Sequence, residues 1–189
     1  MRDTRLEMFY QIIKAGKDEI GLVWDDVGGK PQVEYVYLPE PKGKLKGRII
    51  KDYPEVKRAV RKIPGGIDDG IAKLYLGKKE KMDLSILNWS RLSAFSAKAL
   101  KQTFKIPCGK VATYSGLAAK IGNPRAARAV GTAMANNPFP LIIPCHRVVR
   151  ADGSPGQFGG GSEMKKQLLE KEGIILDGRG RVLPAHVQY

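Results

Sequence analysis

The chain has 189 residues, with 33 Lys and Arg against 19 Asp and Glu, a net charge of +14. Its 42% hydrophobic content suffices for a packed core and excludes global disorder, and the length suits one domain or two small ones. No apolar run approaches the ~18 residues of a membrane helix, the best being Phe139 to Cys145, and the N-terminus leads into no signal-peptide pattern. Two cysteines are too few for a disulfide scaffold and fit a reducing cytosol. The charge excess leaves two readings open: a surface for polyanions, nucleic acid above all, or simply solvated lysines.

Met8 to Ile13 and Gly21 to Trp24 are short runs of bulky apolar residues that predict strands. A turn over Asp25 to Lys30 and a partner strand over Gln32 to Leu38 complete a hairpin. Pro39 to Gly47 reads as a Pro/Gly/Lys loop. Pro54 suits the first position of a helix whose apolar positions are Val56, Ala59, Val60 and Ile63, stopped by Pro64-Gly65-Gly66. A short helix through Ile71, Leu74 and Tyr75 follows. Gly77 to Lys81, charged and polar, is the expected linker between an α/β part over 1–83 and a helical part over 84–189.

Beyond the linker, Ser90 to Lys105 predicts a helix with Leu92, Phe95, Ala99, Leu100 and Phe104 near one face. Thr113 to Ile121 predicts a second helix; after the break at Gly122-Asn123, Pro124 opens a third over Arg125 to Ala135. Two short helices joined by a Gly-containing turn form a helix-turn-helix signature, which hairpins inside ordinary cores also display. A last helix runs from Ser162, the expected N-cap, to Glu172, with Gly173 as its C′ stop.

Pro144-Cys145-His146-Arg147-Val148 follows the apolar run Leu141-Ile142-Ile143 and the turn Asn136-Asn137-Pro138-Phe139-Pro140. A free cysteine, with a pKa of about 8.5, needs a base to become a nucleophile at neutral pH. His146 is adjacent, and the other histidine is His186. The pair reads either as nucleophile and base or as a small buried Cys beside a surface His. Cys108, Cys145, His146 and His186 form no CxxC or HExxH pattern, so no metal is expected.

The stretch from Pro144 to Val148 resembles the active-site motif of the O6-alkylguanine-DNA alkyltransferases, the methylated-DNA–protein-cysteine methyltransferases. The resemblance runs from about Ile106 to Gly173. It takes in Ile106-Pro107-Cys108-Gly109-Lys110-Val111, Thr113-Tyr114, the stretch from Gly122 to Gly131, Asn136-Asn137-Pro138 and Gly159 to Gly161. Met1 to about Asp83 matches only loosely. The resemblance implies an α+β protein of two domains, an N-terminal RNase-H-like α/β domain and a C-terminal, mostly helical winged-helix-like domain that carries the site. It implies a DNA repair protein that flips O6-alkylguanine, mainly O6-methylguanine, out of duplex DNA and moves the alkyl group irreversibly to its own cysteine.

In that resemblance Cys145 is nucleophile and alkyl acceptor, His146 the base acting through a water, and Glu172 the carboxylate that orients it, with the logic of a hydrolase triad. A carboxylate ending a helix opposes the helix dipole, a broken local rule of the kind functional sites show. Asn137 holds the turn or supports the relay, and Tyr114 donates to guanine N3. Backbone around Val148, Phe158, Gly159 and Gly160 forms the base pocket. Gly159 stands where relatives often carry Ser or Ala, which removes a hydroxyl that could bind O6 and leaves the size preference open.

Arg128 matches the arginine that replaces the flipped base in the stack. An α-helix is about 10–12 Å across and the minor groove about 6 Å wide, so a helix docks there only with small side chains, as Ala126, Ala127, Ala129 and Gly131 are. A small-residue helix packed in a core has the same composition. Arg125 and Thr113 join this surface, and Lys110, Lys120, Arg147 and Arg150 are further candidates for phosphates. The implied partner is double-stranded DNA containing O6-alkylguanine, bound by a cytoplasmic monomer with no cofactor and no membrane. A Cys-His-Glu hydrolase is the competing enzyme reading, but it leaves the Arg128 helix unexplained. Alkyltransferase-like DNA-binding modules lack the reactive cysteine, which is present here, and a sequence-specific regulator would carry more base-reading side chains. Cys108 reads as a bystander, with a regulatory Cys108–Cys145 disulfide as the alternative.

Overall fold

The computed structural model describes residues 7–27, 30–41 and 43–189. Strands β1 (Met8–Ala15) and β2 (Asp18–Val27) form an antiparallel hairpin, and β3 (Lys30–Tyr37) pairs with the free edge of β2. Strand β4 (Lys57–Arg58) runs parallel to β1, giving a mixed sheet of order β3-β2-β1-β4. The register of β2 and β3 slips at Val23/Trp24, where Trp24 pairs with Val33 but Val23 pairs with Tyr35. Glu34 is the extra residue of this bulge. Strand side chains alternate with period two, so one inserted residue reverses which of them face the core. Val36 therefore joins Val33 in the main core, while Tyr35 and Tyr37 turn to the opposite face.

That opposite face is covered by α1 (Lys44–Asp52), whose Leu45 and Ile49 are buried against Tyr10, Val23 and Tyr37. The expected helix starting at Pro54 does not form. Tyr53, with φ −134° and ψ 78°, lies outside the helical region that the residue before a proline avoids, so Pro54 follows the end of α1 instead of opening a helix. Lys57-Arg58 lies along β1, and Val60 is fully exposed. The expected loop over Pro39 to Gly47 is correspondingly shorter, since α1 takes its C-terminal part. Asp25 and Asp26 belong to β2 and not to a turn; the Gly28-Gly29 part of that turn lies outside the described residues.

Helix α2 (Ile67–Tyr75) packs its Ile67, Ile71 and Tyr75 on the core face of the sheet, with Ile13, Ile20 and Leu22. Helices α3 (Ala94–Phe104), α4 (Tyr114–Lys120) and α5 (Ala127–Ala135) bury Ala99, Leu100, Leu117, Ala118, Val130 and Met134 in the same cluster. That apolar cluster is continuous through both halves of the chain and includes Cys145. Ser93 caps α3 through Ser96 N–H (3.2 Å) and Thr113 caps α4 through Gly116 N–H (2.9 Å). A two-stranded parallel pair, β5 (Ala112–Thr113) with β6 (Val148–Val149), ties α4 to the segment after Cys145.

Helix α5 begins at Ala127, two residues later than Arg125. Helix α6 (Gly161–Lys171) starts after Gly160, and Ser162 lies inside it without capping it. Its C-terminus is a Schellman turn: Gly173 (φ +80°) donates to Glu170 O at 2.9 Å, and Ile174 donates to Leu169 O at 3.0 Å. Among the described residues no helix is long and apolar enough to cross a membrane. The architecture is α+β.

Candidate active site

The turn before Cys145 is held by one buried amide. Asn137 donates from Nδ2 to Ile143 O (3.0 Å) and accepts Phe139 N–H on Oδ1 (3.0 Å), so a single side chain closes the loop from both sides. Leu141 within it has φ +74°, a conformation costly for a residue with a branched side chain. Cys145 N–H then donates to Ile143 O at 2.8 Å, and Cys145–Arg147 form one 3-10 turn leading into β6. Cys145 is 4% exposed. It sits at a cleft of about 50 Å³ whose walls include Asn137, Pro140, Phe158 and Gly159, and also Tyr35 and Arg48 from the first half of the chain.

Behind the cysteine, His146 Nε2 lies 2.9 Å from Glu172 Oε1, with both side chains almost fully buried. Arg147 clamps the same carboxylate with two bonds, Nε to Oε2 and Nη2 to Oε1, each 2.8 Å, and its Nη1 donates to Ile106 O at 2.6 Å. Burial would raise the Glu172 carboxyl, but the bonds from His146 and Arg147 outweigh it and hold the group down at about 2. The carboxylate at the end of α6 is thus neutralised by these partners and not by the helix dipole. Among the described residues His146 Nδ1 is buried with no hydrogen-bond partner.

Burial pushes the Cys145 thiol up, against a pull downward from Asn137 and from the Lys165 charge. Burial likewise pushes His146 below the usual imidazole range, opposed by Glu172. The resting pair is therefore a thiol beside a neutral imidazole, a base with one nitrogen committed to Glu172 and the other free to accept.

Residues 94–174 match the family model described as the DNA-binding domain of 6-O-methylguanine DNA methyltransferase. A methylated-DNA–protein-cysteine methyltransferase of Methanothermobacter thermautotrophicus is 37% identical over 164 residues, covering 85% of this chain and 83% of that protein. The chain belongs to the methylated-DNA–protein-cysteine methyltransferase family. Among solved structures of the family, the Mycobacterium tuberculosis OGT in complex with DNA matches with a TM-score of 0.66 at 28% identity, covering 87% of this chain and 92% of that one. The O6-methylguanine-DNA methyltransferase of Pyrococcus kodakaraensis matches with a TM-score of 0.65 at 28% identity, over 88% of this chain and 99% of that one.

Within this methyltransferase, Tyr114 opens α4 and is half-buried, its hydroxyl near Gly156. Burial, then the Cys145 charge, raises the phenol, so it stays a donor. Val148 is fully buried, and its carbonyl accepts from Lys165 (2.6 Å). Phe158 stands edge-on to the His146 ring, 6.4 Å between centroids at 78°. Gly159 has open space where a side chain would project, whereas Gly160 is pressed against Met164. On α5 and the turn before it, Arg125, Arg128 and Ala129 are exposed, and Ala126, Ala127 and Gly131 are half-buried. The small residues of this helix thus lie largely at the surface, while Val130, Ala133 and Met134 enter the core.

Thr113 uses its hydroxyl as the α4 cap. Lys110 is tied to Ala185 O (2.9 Å), Lys120 stands over the Tyr189 ring, and Arg150 is exposed. Arg147 corrects one expectation: it is 8% exposed and committed to Glu172 and Ile106, so it is a pillar of the site and not a phosphate contact. Sequence reasoning also missed Lys165. It is fully buried, its ammonium 5.8 Å from the Tyr114 ring centre, and burial lowers its pKa to about 8. The available signal was its place on the apolar stripe of α6, one turn before Leu168 and Leu169.

Proposed function

We propose that this protein repairs O6-alkylguanine in duplex DNA, chiefly O6-methylguanine, by moving the alkyl group once and irreversibly to Cys145. The observation that carries the residue assignment is the neutral, buried His146, pinned by Glu172 on one nitrogen and adjacent to a thiol at the floor of a cleft. Cys145 passes its proton through a bridging water to His146 Nδ1, and Glu172 with Arg147 stabilises the imidazolium that forms. The sulfur attacks the alkyl carbon, the S–C bond forms and the C–O6 bond breaks. Guanine leaves as an anion whose charge Tyr114 meets by donating its hydroxyl proton to N3. The thioether has no base able to reverse it, so each molecule acts once.

Extraction of the base falls to α5. Arg128 projects from the exposed side of that helix, with Ala126, Ala127, Ala129 and Gly131 around it small enough to approach a groove floor. Unstacking a base costs a few kcal/mol, which a side chain filling the gap offsets. Arg125 and Arg150 supply phosphate contacts without sequence readout. We read residues 84–189 as the winged-helix-like unit that carries the site, supported by the α4–α5 pair beside β5–β6. Residues 1–83 read as the RNase-H-like unit, supported by the mixed sheet between α1 and α2. The protein works as a cytoplasmic monomer.

The test is an intact mass after mixing with duplex carrying O6-methylguanine. One added methyl, mapped to Cys145 and consumed stoichiometrically, is expected, and Cys145→Ser should bind the duplex without accepting the group. Lesions removed many times per protein molecule would sink the single-use mechanism.

A further inference from the structure

The cleft beside Cys145 has a wall that comes from the other half of the chain: Tyr35 and Leu38 after the β3 bulge, and Arg48 of α1, line it together with Met134, Pro140 and Phe158. This wall is built and not incidental. The extra residue Glu34 turns Tyr35 off the main core and onto the face where Tyr37 and α1 lie. The next residue, Val36, donates its N–H to Pro138 O at 2.8 Å, which fastens β3 to the turn that positions Cys145. The Tyr35 ring rests 4.5 Å from the ring of Tyr37 at a 44° tilt. Tyr37 is fixed in turn by a 2.9 Å bond to Asp52 and by the Arg48 guanidinium 5.2 Å over its ring. Arg48 is itself paired with Glu40 and Asp52.

We propose that Tyr35 is a specificity-determining residue, whose ring closes the alkyl side of the cleft and limits the size of the O6 substituent that Cys145 accepts. The proposal rests on the alkyl-transfer reading above. The cleft is narrow, about 50 Å³, so the distance of its walls from the thiol decides how large an O6 substituent can reach Cys145. The second half supplies Met134, Pro140 and Phe158 to the walls and leaves the Gly159 side without a side chain. Tyr35 supplies the bulky, half-buried wall that comes from the first half of the chain. The first half of the chain thereby takes part in substrate choice.

Single-turnover rate constants for alkyl transfer from duplexes carrying O6-methylguanine or O6-benzylguanine test this through their ratio. Tyr35→Ala should raise the benzyl-to-methyl ratio by ~10-fold or more, the scale on which hydrophobic pockets discriminate by size. Tyr35→Leu should raise it less, Tyr35→Trp should lower it, and Tyr35→Phe should leave it within about twofold, since volume and not the hydroxyl sets the limit. The Leu and Trp variants keep the test decisive if the Ala variant fails to fold. A ratio unchanged across these variants overturns the proposal, as does an equal fall in both rates, which would leave Tyr35 a purely structural role. Wild-type protein that alkylates Cys145 from neither duplex overturns the alkyl-transfer reading itself, and this proposal with it.

Discussion

Three hydrogen bonds converge on the Glu172 carboxylate, one from His146 and two from Arg147, in a site closed to solvent. Its pKa is about 2 in the fold against an ordinary 4.5. A depressed carboxyl pKa gives stability that is complete above the unfolded value and lost as pH falls through the folded one. Acid titration of the wild type should therefore lose about 3 kcal/mol between pH 4.5 and 2 from this group. Glu172→Gln should remove that part of the slope while lowering stability at pH 7 by about 3–5 kcal/mol, because it strands the buried Arg147 charge. Urea unfolding at several pH values measures both. The downward shift of His146 gives a second expectation: the transfer rate should hold steady through neutral pH and fall only below the usual imidazole range, where His146 takes a proton. A decline beginning at pH 7 or above would contradict the base assignment.

At the scale of elements, the proposed mechanism assigns α5 and the loop before α6 to different steps. Arg128→Ala should slow repair in duplex DNA far more than reaction with free O6-benzylguanine, since the free base needs no extraction; equal losses would remove Arg128 from base flipping. Gly156 has φ +72°, and an added methyl would lie 2.9 Å from the Tyr114 hydroxyl. Gly156→Ala should cost about 1–3 kcal/mol of strain and slow transfer from duplex and free base alike, as the tyrosine is displaced. Helix existence was largely readable: α2 to α6 all lie where apolar spacing puts them, although Ser162 does not cap α6. Boundaries were less so. Val56, Ala59 and Val60 imitate a helical stripe, yet Pro54 ends a helix whose real stripe, Leu45 and Ile49, is hidden in a Lys/Gly-rich stretch. The choice between the two was made by the sheet face on which Leu45 and Ile49 pack.

For the whole molecule, the charge of +14 predicts binding to undamaged duplex that weakens steeply with salt. Arg125→Ala or Arg150→Ala should each reduce the log–log salt slope by about one phosphate contact. Arg147→Ala should leave the slope unchanged and destabilise the fold, because its guanidinium is spent on Glu172; fluorescence-polarisation titrations from low to moderate salt separate the two outcomes. The sequence by itself carried the family resemblance and, through it, the roles proposed for Cys145, His146, Glu172, Tyr114 and Arg128, because short motifs such as Pro144 to Val148 preserve residue type and order locally. Only the tertiary structure decided which charges face water and which walls meet at the thiol. Arg147 and Lys165 are cations in any sequence, and burial beside Glu172 and Val148 is what turns them into internal struts. Tyr35 stands more than a hundred positions from Cys145, and it reaches the cleft because a one-residue bulge reverses the face of β3 and a single backbone bond joins that strand to Pro138. Contacts of that range depend on how sheet and helices pack, and no local spacing encodes them.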